Sequence, residues 1–138
     1  MFIKFTVMEF KALYLDGMNV EVEINKNKFI IDASREKGNA PMDHIISALA
    51  ACTLISISSI LKRMHEDFEH LEVQVNGEQF PDPPKIFKKI ELNYYIKGKL
   101  KRESFEKAIE LTFEKYSPSA VILKRAGVEL KYSFIINQ

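Results

Sequence analysis

At 138 residues, with 46% hydrophobic and 28% charged side chains, the chain is of a size to bury one core, and residues 1–138 read as a single globular domain, neither disordered nor repetitive. Twenty basic against nineteen acidic side chains leave a net charge of +1, so no global field recruits nucleic acid or an anionic membrane. The one cysteine, Cys52, cannot close an intramolecular disulfide, and the opening MFIKFTVMEF lacks the apolar core and cleavage site of a secretory signal; a reducing cytoplasm is expected.

In chain order, FTVMEFKALYLDGMNVEVEI (residues 5–24) reads as extended segments on either side of Asp16-Gly17, a dipeptide that accepts the positive φ of a tight hairpin. Val20, Val22 and Ile24 alternate with Glu21 and Glu23, giving one buried and one wet face. After a polar turn at Asn25 to Asn27, KFIIDA makes a third strand and SREKGNA a loop. Pro41 suits the first position of a helix, and Asp43 sits near the positive end of its dipole.

The helix that follows carries a 17-residue uncharged run from Ile45 to Leu61. Ser47, Thr53, Ser56, Ser58 and Ser59 within it favour a buried soluble helix over a membrane span. Its small and apolar residues cover nearly the whole circumference, which predicts burial on most sides and a second copy of the chain to help supply it.

The second half repeats the strand logic. Leu71, Val73 and Val75 alternate with polar residues, PDPP breaks the chain, and Ile86, Ile90, Leu92, Tyr94 and Ile96 line one face of a longer strand interrupted by Lys88. KGKLKR is a solvated turn. Phe105, Ala108, Ile109, Thr112, Phe113 and Tyr116 recur at helical spacing. A short helix follows with Ser117 as cap and Pro118 in its first turn, and Val128 to Ile136 alternate as a final strand. The class is α+β.

Chemistry is sparse. His44, His65 and His70 are isolated, with no metal-ligand spacing, although His44 at the helix start is placed to line a pocket. On its helix face Cys52 has Ala48, Leu49, Ile55 and Ser56 as neighbours, and of these only Ser56 can donate a hydrogen bond. Local sequence alone therefore makes Cys52 a small packed residue, since apolar burial raises a thiol pKa.

Three stretches, KALYLDGMNVEVE, APMDHIISALAACT and EKYSPSAVILKRAGVELKYSF, give the chain a pattern that resembles the OsmC/Ohr superfamily (osmotically inducible protein C and organic hydroperoxide resistance), most of all its OsmC-like branch of unassigned substrate. The resemblance implies a mostly antiparallel curved sheet packed on a long buried central helix and a second amphipathic helix, in an intertwined homodimer with its sites at the subunit interface. In the peroxidase branches a cysteine on the central helix attacks the distal oxygen of a hydroperoxide, and Cys52 matches its position. A second cysteine then forms a disulfide with the sulfenic acid, and an external dithiol restores both. Ser117 stands at that second position.

A hydroxyl cannot condense with a sulfenic acid to a disulfide, so what remains is a one-cysteine cycle without cofactor, closed by an external thiol or dithiol. The family's activating arginine has no counterpart in the first 34 residues, which hold none, and Arg35 is the nearest substitute. Its glutamate aligns with Met42, the acid being shifted to Asp43. Nine helical residues separate Asp43 from Cys52, about 900° of rotation and about 13 Å of rise, so the two should not meet on one regular helix. Either the helix start is irregular, or Asp43 serves the other subunit's site, or it is a helix-start carboxylate. Two functions follow from the resemblance. One is a thiol-dependent reductase of organic hydroperoxides in oxidative stress defence, with Met42, His44 and Arg35 as binding candidates. The other is a non-catalytic module holding a small apolar ligand, with Cys52 as lining. Neither involves nucleic acid, membrane or metal.

Overall fold

The computed structural model of the protein describes residues 9–138, in two compact units, residues 1–45 and 46–138. The part of the expected first strand at residues 5–8 lies outside the described residues. The observed order is the one read from the sequence: β1 (Phe10–Asp16), β2 (Asn19–Ile24), β3 (Asn27–Asp32), α1 (Pro41–Arg63), β4 (His70–Gln79), β5 (Phe87–Lys97), α2 (Arg102–Leu111) continued by a π-helical turn (Thr112–Tyr116), α3 (Pro118–Arg125) and β6 (Glu129–Asn137). The protein is α+β.

In the first unit β1, β2 and β3 form an antiparallel sheet in that order. The first hairpin turns on Gly17 and Met18, one residue later than the Asp16-Gly17 dipeptide suggested, and Gly17 supplies the positive φ of 49°. Asp16 instead closes the strand, accepting a 2.9 Å hydrogen bond from the Asn19 side chain.

The second unit holds the other sheet, ordered β4-β5-β6. The sequence predicts one sheet; among the described residues there are two, each of three strands. β4 and β5 pair antiparallel, but β5 and β6 pair parallel, because the chain returns through the helical crossover α2 to α3 rather than through a hairpin. The inward face of β5 also differs from expectation. Phe87 is buried and Ile86 exposed, because a bulge shifts the register between Glu78 and Gln79, which face Lys89 and Phe87, leaving Lys88 unpaired. One extra residue reverses the alternation, and this is why Lys88 interrupts the apolar face that the sequence predicts.

On α1 the buried residues are Leu49, Thr53, Ile57, Ile60 and Leu61, a stripe at three- and four-residue spacing. Thr53 is the polar member. Its hydroxyl donates to the Ala50 carbonyl at 3.0 Å and accepts from the buried Tyr94 hydroxyl at 2.7 Å, tying the helix to β5. Burial raises the Tyr94 phenol well above its ordinary value, so it remains a donor. Burial on most sides is not met within one chain: Ile45 is 42% and Ile55 70% exposed. Replacing Tyr94 by Phe removes one buried hydrogen bond while Thr53 keeps its bond to Ala50. It should cost about 1 kcal/mol, read as a lower urea midpoint. An unchanged midpoint would show that the tie contributes nothing.

Candidate functional site

Cys52 lies on α1 one position before Thr53, beside the buried stripe rather than in it, and is half-buried. Four residues on, Ser56 shares its side of the helix. Both reach the junction between the π-helical turn and α3. Ser56 donates to the Tyr116 carbonyl at 3.3 Å, and the Cys52 sulfur accepts a 3.0 Å hydrogen bond from the Ser117 hydroxyl. Ser56, the donor that local sequence offered to Cys52, is thus engaged elsewhere, and the donor comes from a residue 65 positions away.

The junction has a local cause. The π turn closes with the Ser117 N–H donating to the Thr112 carbonyl at 2.9 Å, a five-residue step. Ser117 then leaves helical geometry (φ −97°, ψ 105°) and Pro118 starts α3 at once. Ser117 caps that helix as its sequence predicts, accepting from the Ala120 N–H at 3.3 Å. Its own proton points to sulfur. The cap and the contact with Cys52, which the sequence offered as separate roles, are held together by a fully buried side chain.

Burial pushes the Cys52 thiol up, but the Ser117 hydroxyl at 3.0 Å, with the polar groups of Ser119 in the same turn, outweighs it. The net effect is a thiol held below its ordinary value of 9.0. Sequence reasoning missed Ser119. The signal was present in Ser117-Pro118-Ser119, where the proline has no N–H to offer, but nothing local says which helix that turn faces.

The other candidates gather at the start of α1, within the first unit. Arg35, in left-handed backbone geometry (φ 61°), grips Asp43 with two hydrogen bonds of 2.8 Å. Asp43 also accepts from the Ala40 N–H at 2.9 Å, the pattern of a carboxylate closing back on the helix cap. The Arg35 side chain and the Ala40 N–H together hold the Asp43 carboxyl down to about 2. Buried Asp32 organises the preceding loop by accepting from the Ser34 hydroxyl and from the Ser34 and Lys37 N–H groups. His44 stacks on Phe29 at 5.3 Å, and Met42 is half-buried in the first turn. Pro41 to Arg63 is one unbroken α-helix, which removes an irregular helix start from the three explanations for Asp43. Among the described residues, no three His, Cys, Asp or Glu side chains are grouped to hold a metal.

The family model described as OsmC-like protein matches residues 34–133, from the loop before α1 into β6. The chain belongs to the OsmC-like family. Among curated proteins, this OsmC-like chain is similar to Protein YhfA of Escherichia coli (strain K12), 27% identical over 130 residues that cover 92% of this chain and 96% of YhfA. Among solved structures it is similar to the OsmC like protein from Mycoplasma pneumoniae, with TM-score 0.86 and 15% identity over 98% of this chain and 100% of that one. It is also similar to an organic hydroperoxide resistance protein OsmC from Legionella pneumophila, with TM-score 0.73 and 20% identity over 96% and 98% of the two chains. At these identities the structures establish the fold. OsmC-like proteins are typically soluble. α1 packs its Leu49-to-Leu61 stripe inside this one, although by length and composition the helix is apolar enough to cross a membrane.

The Arg35–Asp43 pair gives a pH dependence with a definite sign. Asp43 titrates lower in the folded protein than its ordinary 3.8, so its stabilisation is present above that value and is lost as pH falls through about 2. Wild type should have a higher urea midpoint than Asp43→Asn at neutral pH, and the gap should close near pH 2. A gap that persists unchanged in acid would show that the carboxylate charge is irrelevant to the helix start.

Proposed function

We propose that this OsmC-like protein is a one-cysteine organic hydroperoxide reductase of the cytoplasm, working as a homodimer and reduced by an external thiol. The observation that carries the proposal is the 3.0 Å hydrogen bond that the buried Ser117 hydroxyl donates to the one cysteine sulfur of the chain. A thiolate is stabilised by such a donor.

The Cys52 thiolate attacks the distal oxygen of the hydroperoxide. The O–O bond breaks, sulfur gains the oxygen as a sulfenic acid, and the alkoxide takes a proton and leaves as the alcohol. An external thiol then attacks the sulfenic sulfur, releasing water and forming a mixed disulfide. A second thiol reduces that disulfide, returning Cys52 and leaving the two external thiols joined. Ser117, in hydrogen-bonding contact with the sulfur, cannot replace the first of these thiols.

Substrate class follows from the side of α1 next to Cys52, where Ala48, Ala51 and Ile55 carry no charge and are exposed. An alkyl or aryl hydroperoxide gains apolar contact there that hydrogen peroxide does not. The same uncovered face supports the dimer, as does β1, which leaves Phe10, Leu13, Tyr14 and Leu15 all more than two-fifths exposed. Binding of an apolar ligand without chemistry uses the same surface but gives the Ser117 hydroxyl at the sulfur no role.

One equivalent of cumene hydroperoxide near neutral pH should consume the free thiol of the wild-type protein rapidly, with a sulfenic acid trapped by dimedone, in a sample that sediments at the mass of two chains. The Cys52→Ser protein should leave the peroxide untouched. A thiol that stays unreacted until pH exceeds about 9 would overturn the enzymatic reading in favour of the apolar-ligand module.

A further inference from the structure

We infer that the protein binds an amphipathic monocarboxylate, a hydrocarbon chain ending in one acid group, in the cavity between the second half of α1 and the start of β4, with Lys62 meeting the acid. The site goes beyond the proposed reductase activity and does not depend on what Cys52 does.

The cavity measures about 570 Å³ and lies wholly within the second unit. Small-molecule sites typically run from about 300 to 1,000 Å³. Its α1 wall is graded along the helix. Leu54 and Ile55 come first, Ser58 and Ser59 one turn later, and Lys62 one turn after that, at the three- and four-residue spacing that puts them on one face. Apolar, hydroxyl and cationic groups thus follow one another from one end of the wall to the other. Across from it Phe68 and Leu71 continue the apolar lining. Lys62 comes eight residues after Leu54, about 12 Å of rise. An extended chain with carbon–carbon bonds of about 1.5 Å covers that span in about eight to ten carbons.

Charge decides which end group fits. Of the ionisable side chains in the lining, Glu69 pairs with Lys97 at 3.6 Å and His70 hydrogen-bonds with Glu72 at 3.0 Å. Lys62 makes no ion pair with any described residue, and the Ser58 and Ser59 hydroxyls make no hydrogen bond with one. What the cavity leaves unsatisfied is therefore one cation with two hydroxyls a turn away, the complement of a single carboxylate. A doubly charged phosphate would bring a second charge toward the Glu69 carboxylate, and a neutral alcohol would leave Lys62 without a counter-charge. A lysine in the last turn of a helix suits the dipole wherever its side chain lies, and Arg63 beside it does so without lining the cavity. Lys62 differs in standing at the charged end of a graded wall.

The test is a titration of the full-length protein with octanoate, followed on the methyl NMR signals of Leu54 and Leu71. 1-Octanol supplies the chain without the charge, and acetate the charge without the chain. Octanoate should move both signals and bind about three- to tenfold more tightly than 1-octanol, the range of a charged hydrogen bond at an exposed lysine. Acetate at the same concentration should leave them in place. Lys62→Gln should bring octanoate down to the affinity of 1-octanol. Arg63→Gln, which removes the same charge from the same turn, should bind octanoate as wild type does, and so should Cys52→Ser. Equal affinity of wild type for octanoate and 1-octanol, or an equal loss in Lys62→Gln and Arg63→Gln, would overturn the assignment. So would signals that ignore octanoate but shift with protein concentration, which would give this face to a second copy of the chain. A protein that binds octanoate as expected but leaves cumene hydroperoxide untouched would sink the reductase reading, while the carboxylate site would still stand.

Discussion

Leu49, Thr53, Ile57 and Leu61 recur every fourth residue along α1 and are buried, and this requirement fixes the azimuth of every other residue on the helix. Each of the three aliphatic members is worth about 1.5–3 kcal/mol when withdrawn from water. Thr53 adds direction to what would otherwise be a greasy contact free to roll, because its hydroxyl meets Tyr94 at 2.7 Å only at one rotation of the helix. With that rotation set, Cys52 and Ser56 must point to the flank where the π turn meets α3. The side beyond them, with Ala48, Ala51 and Ile55, must stay uncovered within a single chain. Core packing thus sets both the sulfur's donors and the surface a substrate or second subunit would meet.

Serine at position 117 changes the logic of the sulfur's surroundings. A thiol there would be consumed in each cycle as a disulfide partner. A hydroxyl is a permanent donor, and it is held in place by the cap it makes for α3. In the proposed cycle the chain exchanges the means of resolving an oxidised sulfur for a group that stabilises the charged one, and resolution would fall to an external thiol.

Much of the fold was legible because its signals are local and periodic: alternating valines in β2, the seventeen-residue uncharged run of α1, and Pro118 at the start of α3. What was misread came from one-residue offsets. A bulge at Gln79 reversed the inward face at Phe87, and the first turn moved to Gly17 and Met18, since sequence alternation has no way to register an extra residue. The parallel pairing of β6 is set by the whole crossover and not by any strand's own residues. At the site, the family pattern pointed to Cys52, Ser117 and Asp43, but their partners are long-range facts. Arg35 meets Asp43 and Ser117 meets Cys52 through loops and turns whose paths no local pattern states. Ser119 was invisible for the same reason.

The central claim is that the environment of Cys52 favours thiolate despite partial burial, and the single cysteine makes it directly measurable. Protein labelled with 13C at cysteine Cβ gives one signal, whose chemical shift follows the ionisation of this one group. The account predicts a midpoint below the ordinary 9.0 in the wild-type protein. A midpoint above that value would mean that burial prevails over the Ser117 hydroxyl, and that Cys52 is a packed side chain with no part in chemistry.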